Sequence, residues 1–251
     1  MAQFKIEIAG VVFFVSSLFE STRDYCRNYL TEREAEFSIA VSREDLVFEQ
    51  KALDEEAREE GLKRRKFSDP FLERAAIQRK VAGHLRSCGT LLFHGSGIAL
   101  DGKGYLFAAA RCGTGKSTHT GYWRTRFGSR CIMVNDDKPF LEITPTGVTM
   151  HGAPWSGKHG LDTNVTVPLK GICILERGTE NQIRRATPKE VLFMLLQQSN
   201  RPLNPSLMPK YLDLVDALAN RVPLWYMTCN LDPQAAVTAW EAMSGKKHSE
   251  Q

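Results

Sequence analysis

Between an apolar run at residues 105–109 and a helical stretch at 118–126 stands Ala110-Arg111-Cys112-Gly113-Thr114-Gly115-Lys116-Ser117. Such a loop belongs where a strand ends and a helix begins. Its glycines let successive backbone N–H groups turn inward, and the following helix offers its positive end. The preceding segment narrows the fold further. Residues 90–100 are β-rich, and Asp101-Gly102-Lys103-Gly104 makes a tight reversal before the apolar run. A connection that short joins antiparallel neighbours, because a parallel crossover needs a dozen or more residues. The chain is therefore expected to be α/β with some α+β character. A mixed sheet would be flanked by helices, with an antiparallel hairpin directly before the loop.

The residue types suit a triphosphate. Cys112, Gly113, Thr114, Gly115, Lys116, Ser117 and Thr118 form the candidate nucleotide-binding set. Lys116 would bridge the β- and γ-phosphates, and the Ser117 hydroxyl would bind Mg²⁺. Ala110 stands where the usual motif has its first glycine. One helix downstream, an apolar strand at 130–134 ends in Asn135-Asp136-Asp137, delivering carboxylates where a phosphate loop needs a metal ligand and an acceptor-orienting base. His94-Gly95 is read as lying on the strand paired with the one that feeds the loop, so that hairpin pairing would bring His94 near the phosphates.

Composition bounds the rest. The 251 residues, 42% hydrophobic and 25% charged, are those of an ordinary globular chain. Lys+Arg 33 against Asp+Glu 29 leaves +4, a mild excess that suits an anionic ligand and demands neither nucleic acid nor a membrane. Six cysteines without metal-ligand spacing read as reduced thiols of a cytoplasmic protein. The apolar run at 8–19 follows an alternating strand pattern rather than a basic leader, so export is not expected.

Two domains are expected, an α/β accessory segment at 1–66 and the loop-bearing domain at 67–251. The first has a strand at 4–16, a helix at 21–31 and a β piece at 36–41. A helix then follows, capped by Ser42 and Asp45. Its basic run Lys63-Arg64-Arg65-Lys66 reads as a solvated helix face, with docking of an acidic peptide as the alternative. A helix from Ser68-Asp69-Pro70 to Gly89 buries Leu72, Ala76, Ile77, Val81 and Leu85. Later come a hairpin (140–143 and 148–151), a buried strand (171–176), helices at 187–198 and 207–219, and a strand at 223–229. A last helix reaches Met243, with a frayed polar tail behind it.

Taken in order, His94-Gly95, the Gly113-Thr114-Gly115-Lys116-Ser117 loop and Asp136-Asp137 resemble the HPr kinase/phosphorylase and ATP-dependent phosphoenolpyruvate carboxykinase superfamily. The resemblance is greatest to small stand-alone HPr-kinase-like serine and peptide kinases. Asn135-Asp136-Asp137-Lys138-Pro139, the Gly152-Ala153-Pro154-Trp155-Ser156-Gly157-Lys158 loop and Val167-Pro168-Leu169 are similar to that group as well. The resemblance implies an ATP- and Mg²⁺-dependent kinase. Lys116 and the loop amides would clamp the phosphates, Ser117 and Asp137 would hold the metal, Asp136 would accept the proton of the attacking hydroxyl, and His94 would tune or relay it. Trp155, Ser156 and Lys158 become substrate candidates, and the acceptor would be serine, a serine-bearing peptide or protein, or a small metabolite. Relatives assemble into oligomers, which leaves a homo-oligomer open. Two other functions stand beside this one: a nucleotide-responsive binding module without transfer activity, and carboxykinase-type transfer to an enolate.

Overall fold

Ala2, Phe4, Ile6 and Ile8 are buried and the residues between them are not, the period-two pattern of a strand covered on one face. The structure, a computed structural model, describes residues 1–59, 61–110 and 113–246. It divides into two compact units, Met1–Ser87 and Cys88–Gln251.

In the first unit, the run read as one strand at 4–16 is a hairpin of β1 (Ala2–Ile8) and β2 (Val11–Ser17), reversed at Ala9-Gly10. Helix α1 (Glu20–Tyr25) is shorter than the helix read at 21–31, and a 3₁₀ turn (Arg27–Tyr29) follows it. Strand β3 (Phe37–Ala40) joins β2 in parallel, and helices α2 (Arg43–Glu59) and α3 (Asp69–Ser87) complete the unit. The expected apolar stripe of α3 is buried. The boundary falls after Ser87 rather than after Lys66, and the reason is polar. Glu73 of α3 is fully buried and accepts hydrogen bonds from the Leu18 and Phe19 amides and the Thr22 hydroxyl. Arg79 pairs with Asp45 and Glu49 on α2. A buried carboxylate survives only where such donors replace water, so α3 belongs with the first unit. The run Lys63-Arg64-Arg65-Lys66 is not a helix face. It follows the end of α2 and has no regular secondary structure.

The second unit contains β4 (Thr90–Leu92), β5 (Ser96–Leu100), β6 (Lys103–Ala108), α4 (Lys116–Phe127), β7 (Cys131–Asn135), β8 (Phe140–Thr144) and β9 (Gly147–His151). It continues with β10 (Thr166–Arg177), β11 (Gln182–Arg185), α5 (Pro188–Gln198), α6 (Met208–Arg221), β12 (Leu224–Cys229) and α7 (Gln234–Ser244). The β5–β6 hairpin turns at Asp101-Gly102, with φ of 50° and 73°. Two successive positive φ values make the turn whose twist matches antiparallel strands. Strand β10 is longer than the six residues expected because it serves three partners. Its start pairs with β9, and its remainder lies between β6 and β12, parallel to both. The result is a curled mixed sheet in the order β4-β8-β9-β10-β6-β5-β7, with β12 and β11 branching from β10.

Alternation along the central strands splits the core. Tyr105, Phe107, Cys173 and Leu175 face Trp123 of α4 and Ala235, Ala236 and Ala239 of α7. Leu106, Ala108, Ile172 and Ile174 face Leu195 of α5 and Val215 and Leu218 of α6. Because both faces are covered, β6 reads as the continuous apolar run seen in the sequence. Among the described residues no helix is long and apolar enough to cross a membrane. The tail at 247–251 lies outside the described residues.

Candidate functional site

Strands β6, β10 and β12 are parallel, and β5 is antiparallel to both β6 and β7. Four carboxyl ends and the amino end of β5 therefore share one edge. Open α/β sheets bind ligands in the crevice beyond such ends. Here that edge collects Gly113–Gly115 after β6, Asp136 and Asp137 after β7, Arg177 closing β10, Asn230 after β12, and His94-Gly95 before β5.

Gly115 immediately precedes α4 with φ 115° and ψ 20°, and its carbonyl accepts from the His119 amide at 2.8 Å. A Cβ there would meet nothing within 4 Å, so backbone conformation rather than space calls for glycine. The Arg177 guanidinium donates to the Gly113 carbonyl at 2.6 Å. That bond occupies one of the loop's carbonyls from the side of β10. Lys116 opens the helix half-buried, and Ser117 and Thr118 are exposed. Cys112 lies outside the described residues. Cavities of about 580 and 470 Å³ flank the loop, and Arg177 lines both.

The carboxylates are tied to this helix by a short polar bridge. Buried Asp136 accepts from Ser96 Oγ at 2.9 Å through Oδ1, and Ser96 Oγ lies 2.8 Å from Thr120 Oγ1. Thr120 in turn donates to the Lys116 and Ser117 carbonyls, each at 3.2 Å. Asn135 organises the neighbouring backbone. Its Oδ1 accepts from the Asp137 and Lys138 amides, and its Nδ2 donates to the Ala153 and Trp155 carbonyls. Fully buried, it fixes the turn that presents both aspartates.

His94 lies in the connection between β4 and β5 rather than on a strand, held by its amide's bond to the Gln198 carbonyl. Its Nε2 is 3.4 Å from Asp137 Oδ1. Burial first, then Lys116 and Lys138, push the imidazole down to about 4 against the pull of Asp137. Near neutral pH the ring is uncharged, so this is a neutral contact rather than an ion pair.

The 152–160 loop lies over the aspartates. A Cβ at Gly157 would sit 3.4 Å from Asp137 Cβ and 3.9 Å from Asp136 Oδ2. A Cβ at Gly152 would come within 1.9 Å of the Thr163 carbonyl oxygen, so the loop's entry admits glycine alone. Ser156 donates to Asp162 at 2.7 Å, and Lys158 is exposed. Trp155 corrects the expectation of a substrate surface. It is buried, edge-on to Phe140 with centroids 6.4 Å apart, and so packs beneath the loop.

Sequence reasoning missed Ser96, Thr120 and Arg177. Each is an ordinary residue in an apolar or helical context: Thr120 sits one turn into α4, and strand pairing brings Ser96 and Arg177 to the same edge. His119 is another case, buried on the inner face of α4 with Nε2 accepting from Trp123 Nε1 at 3.1 Å. Burial pushes it down from 6.5 to about 4. Because the folded pKa is depressed, the unfolded chain binds this proton first, and stability falls as pH drops from 6.5 towards 4. Denaturant unfolding at pH 7 and pH 4.5 should differ by about 2–3 kcal/mol more in the native chain than in His119→Phe. An unchanged pH dependence in that variant would remove His119 as the source.

Among the described residues no group of three His, Cys, Asp or Glu side chains gathers as a metal cluster. No protein-family model matches the chain, and no curated protein matches it in sequence. Among solved structures the chain is similar to the Hpr(Ser) kinase/phosphatase from Coxiella burnetii. The TM-score is 0.36 and the identity 11%, over 62% of this chain and 99% of that one. A superposition at that level establishes no shared activity.

Proposed function

We propose that the Cys88–Gln251 unit is an ATP- and Mg²⁺-dependent phosphotransferase acting on a hydroxyl group of serine, a serine-bearing peptide or protein, or a small metabolite. One observation carries this reading: the Asp136–Ser96–Thr120 bridge, which fastens a buried acid to the first turn of the helix that opens with Lys116. Phosphoryl transfer is mostly positioning and charge, and this arrangement supplies both from rigid elements.

The Gly113–Gly115 amides and Lys116 would hold the phosphate tail. The nucleoside would lie in the 470 Å³ cavity beside Thr118, Tyr122 and Asn230, on the side of the loop lined by β12's exit. Ser96 occupies Asp136 Oδ1, so Oδ2, which faces Gly157, is the atom to take the acceptor's proton. Neutral His94 supports Asp137 without adding a cation that would compete with Lys116 for phosphate oxygens. The donor set fits Mg²⁺, which prefers one or two protein oxygens plus phosphates and waters over an all-protein cage. Ser117 and Asp137 would hold it, and when bound it neutralises charge on the β- and γ-oxygens. Exposed Lys158, next to Gly157, stands where the acceptor would enter.

Incubation with γ-labelled ATP, Mg²⁺ and a panel of amino acids, peptides and metabolites, read by mass spectrometry, should yield a labelled phosphoester. No product from any acceptor, together with no calorimetric heat on adding Mg-ATP, would overturn the reading.

A further inference from the structure

We propose that the groove between α2 and the 62–68 segment of the first unit docks a partner polypeptide through a stretch of acidic and large apolar side chains. The groove encloses about 610 Å³. Leu46, Val47, Phe67 and Leu72 make its apolar surface, and Val47 remains 56% exposed, high for a large aliphatic side chain. Lys51, Arg64 and Lys66 stand around it.

The positive charge of the groove is only partly compensated. Its acid, Asp69, is taken by Arg43 at 2.7 Å, and Arg64 by Asp54 at 2.7 Å. Among the described residues Lys51 and Lys66 have no carboxylate partner, and Lys63 and Arg65 add to the same sign. The wall is also built rather than loose. Gln50 on α2 donates to the Arg65 carbonyl and accepts from the Phe67 amide, each at 3.0 Å, and Phe67 stacks on Phe71 at 4.8 Å. A preformed groove spares a ligand the cost of ordering it.

These features choose the occupant. Among the described residues the one aromatic side chain lining the groove, Phe67, is already stacked on Phe71, so no platform is left for successive bases, which disfavours a nucleic acid. A concave site between helix and segment is out of reach of a flat lipid surface, whereas a polypeptide can set apolar side chains against Val47 and carboxylates against Lys51 and Lys66. This inference concerns the first unit alone and stands or falls separately from the phosphotransferase reading.

The test is selection of a randomised phage-displayed peptide library on the full chain, then fluorescence anisotropy of the selected peptides. Enriched sequences should combine Asp or Glu with large apolar residues and bind more weakly as salt rises. Lys51→Glu combined with Lys66→Glu should weaken binding by at least about tenfold, and Val47→Asp by about tenfold. All three positions are on the surface side of the unit, and unchanged melting curves would confirm that the variants fold. Peptides without acidic enrichment, or binding that survives the double charge reversal, would overturn the proposal. So would phosphatidylserine vesicles or a single-stranded oligonucleotide taking the site instead, with binding lost in the same double variant.

Discussion

Asp136→Asn is expected to slow phosphotransfer by about 10²–10⁴-fold while leaving Mg-ATP affinity largely intact. The substitution is nearly isosteric. Asn Oδ1 still accepts the Ser96 hydroxyl, so the bridge through Thr120 to α4 and the fold around it persist. What changes is the atom facing Gly157, which turns from a carboxylate oxygen into an amide that cannot take a proton. Single-turnover rates with labelled ATP, alongside calorimetric titration, separate the two quantities. Retained transfer would strip Asp136 of the role of base. Lost nucleotide binding would instead mean that the carboxylate acts on the phosphates or their metal.

Lys116→Ala should affect both steps, lowering the rate by about 10²–10³-fold and nucleotide affinity by about tenfold or more. The first residue of α4 lies at the helix's positive end, and its ammonium adds a full positive charge beside the loop's amides. Removing it leaves the amides and helix dipole, enough for residual binding but not for the charge developing in transfer. The variant carries a second readout. Lys116 is one of the charges holding the His94 imidazole down, so its loss should move the His94 titration upward from about 4. An NMR titration of the ring that did not move would separate His94 from Lys116 even if activity fell.

Much of the loop-bearing unit was legible in the residues. The β5–β6 hairpin followed from the Asp101-Gly102 turn, and the start of α4 from glycines that only a strand-to-helix corner requires. The capping box at Thr187 and Glu190 likewise announced α5. These are local features, governed by φ preferences, turn length and helix ends. The misreadings were of another kind. Residues 4–16 read as one strand-like run, and the structure reverses it at Ala9-Gly10 into a hairpin. A boundary after Lys66 is expected from the residues, whereas the first compact unit runs on to Ser87. The buried Glu73, invisible as such in a helix of mixed polarity, holds α3 to the first unit through partners more than fifty positions away. Trp155 is a substrate candidate in the residues, and the structure shows it buried, edge-on to Phe140.

The sequence alone determined which groups the chain carries: a glycine loop that can turn amides inward, a lysine and hydroxyl after it, and two acids at a strand's end. Whether those groups meet was decided by tertiary structure, through strand direction. With β6, β7, β10 and β12 running one way and β5 the other, every relevant end lies on one edge, and Ser96 can reach both Asp136 and Thr120. Pairing partners are chosen by the burial of whole strands against helices on two faces, a sum over long-range contacts that no short window of residues contains.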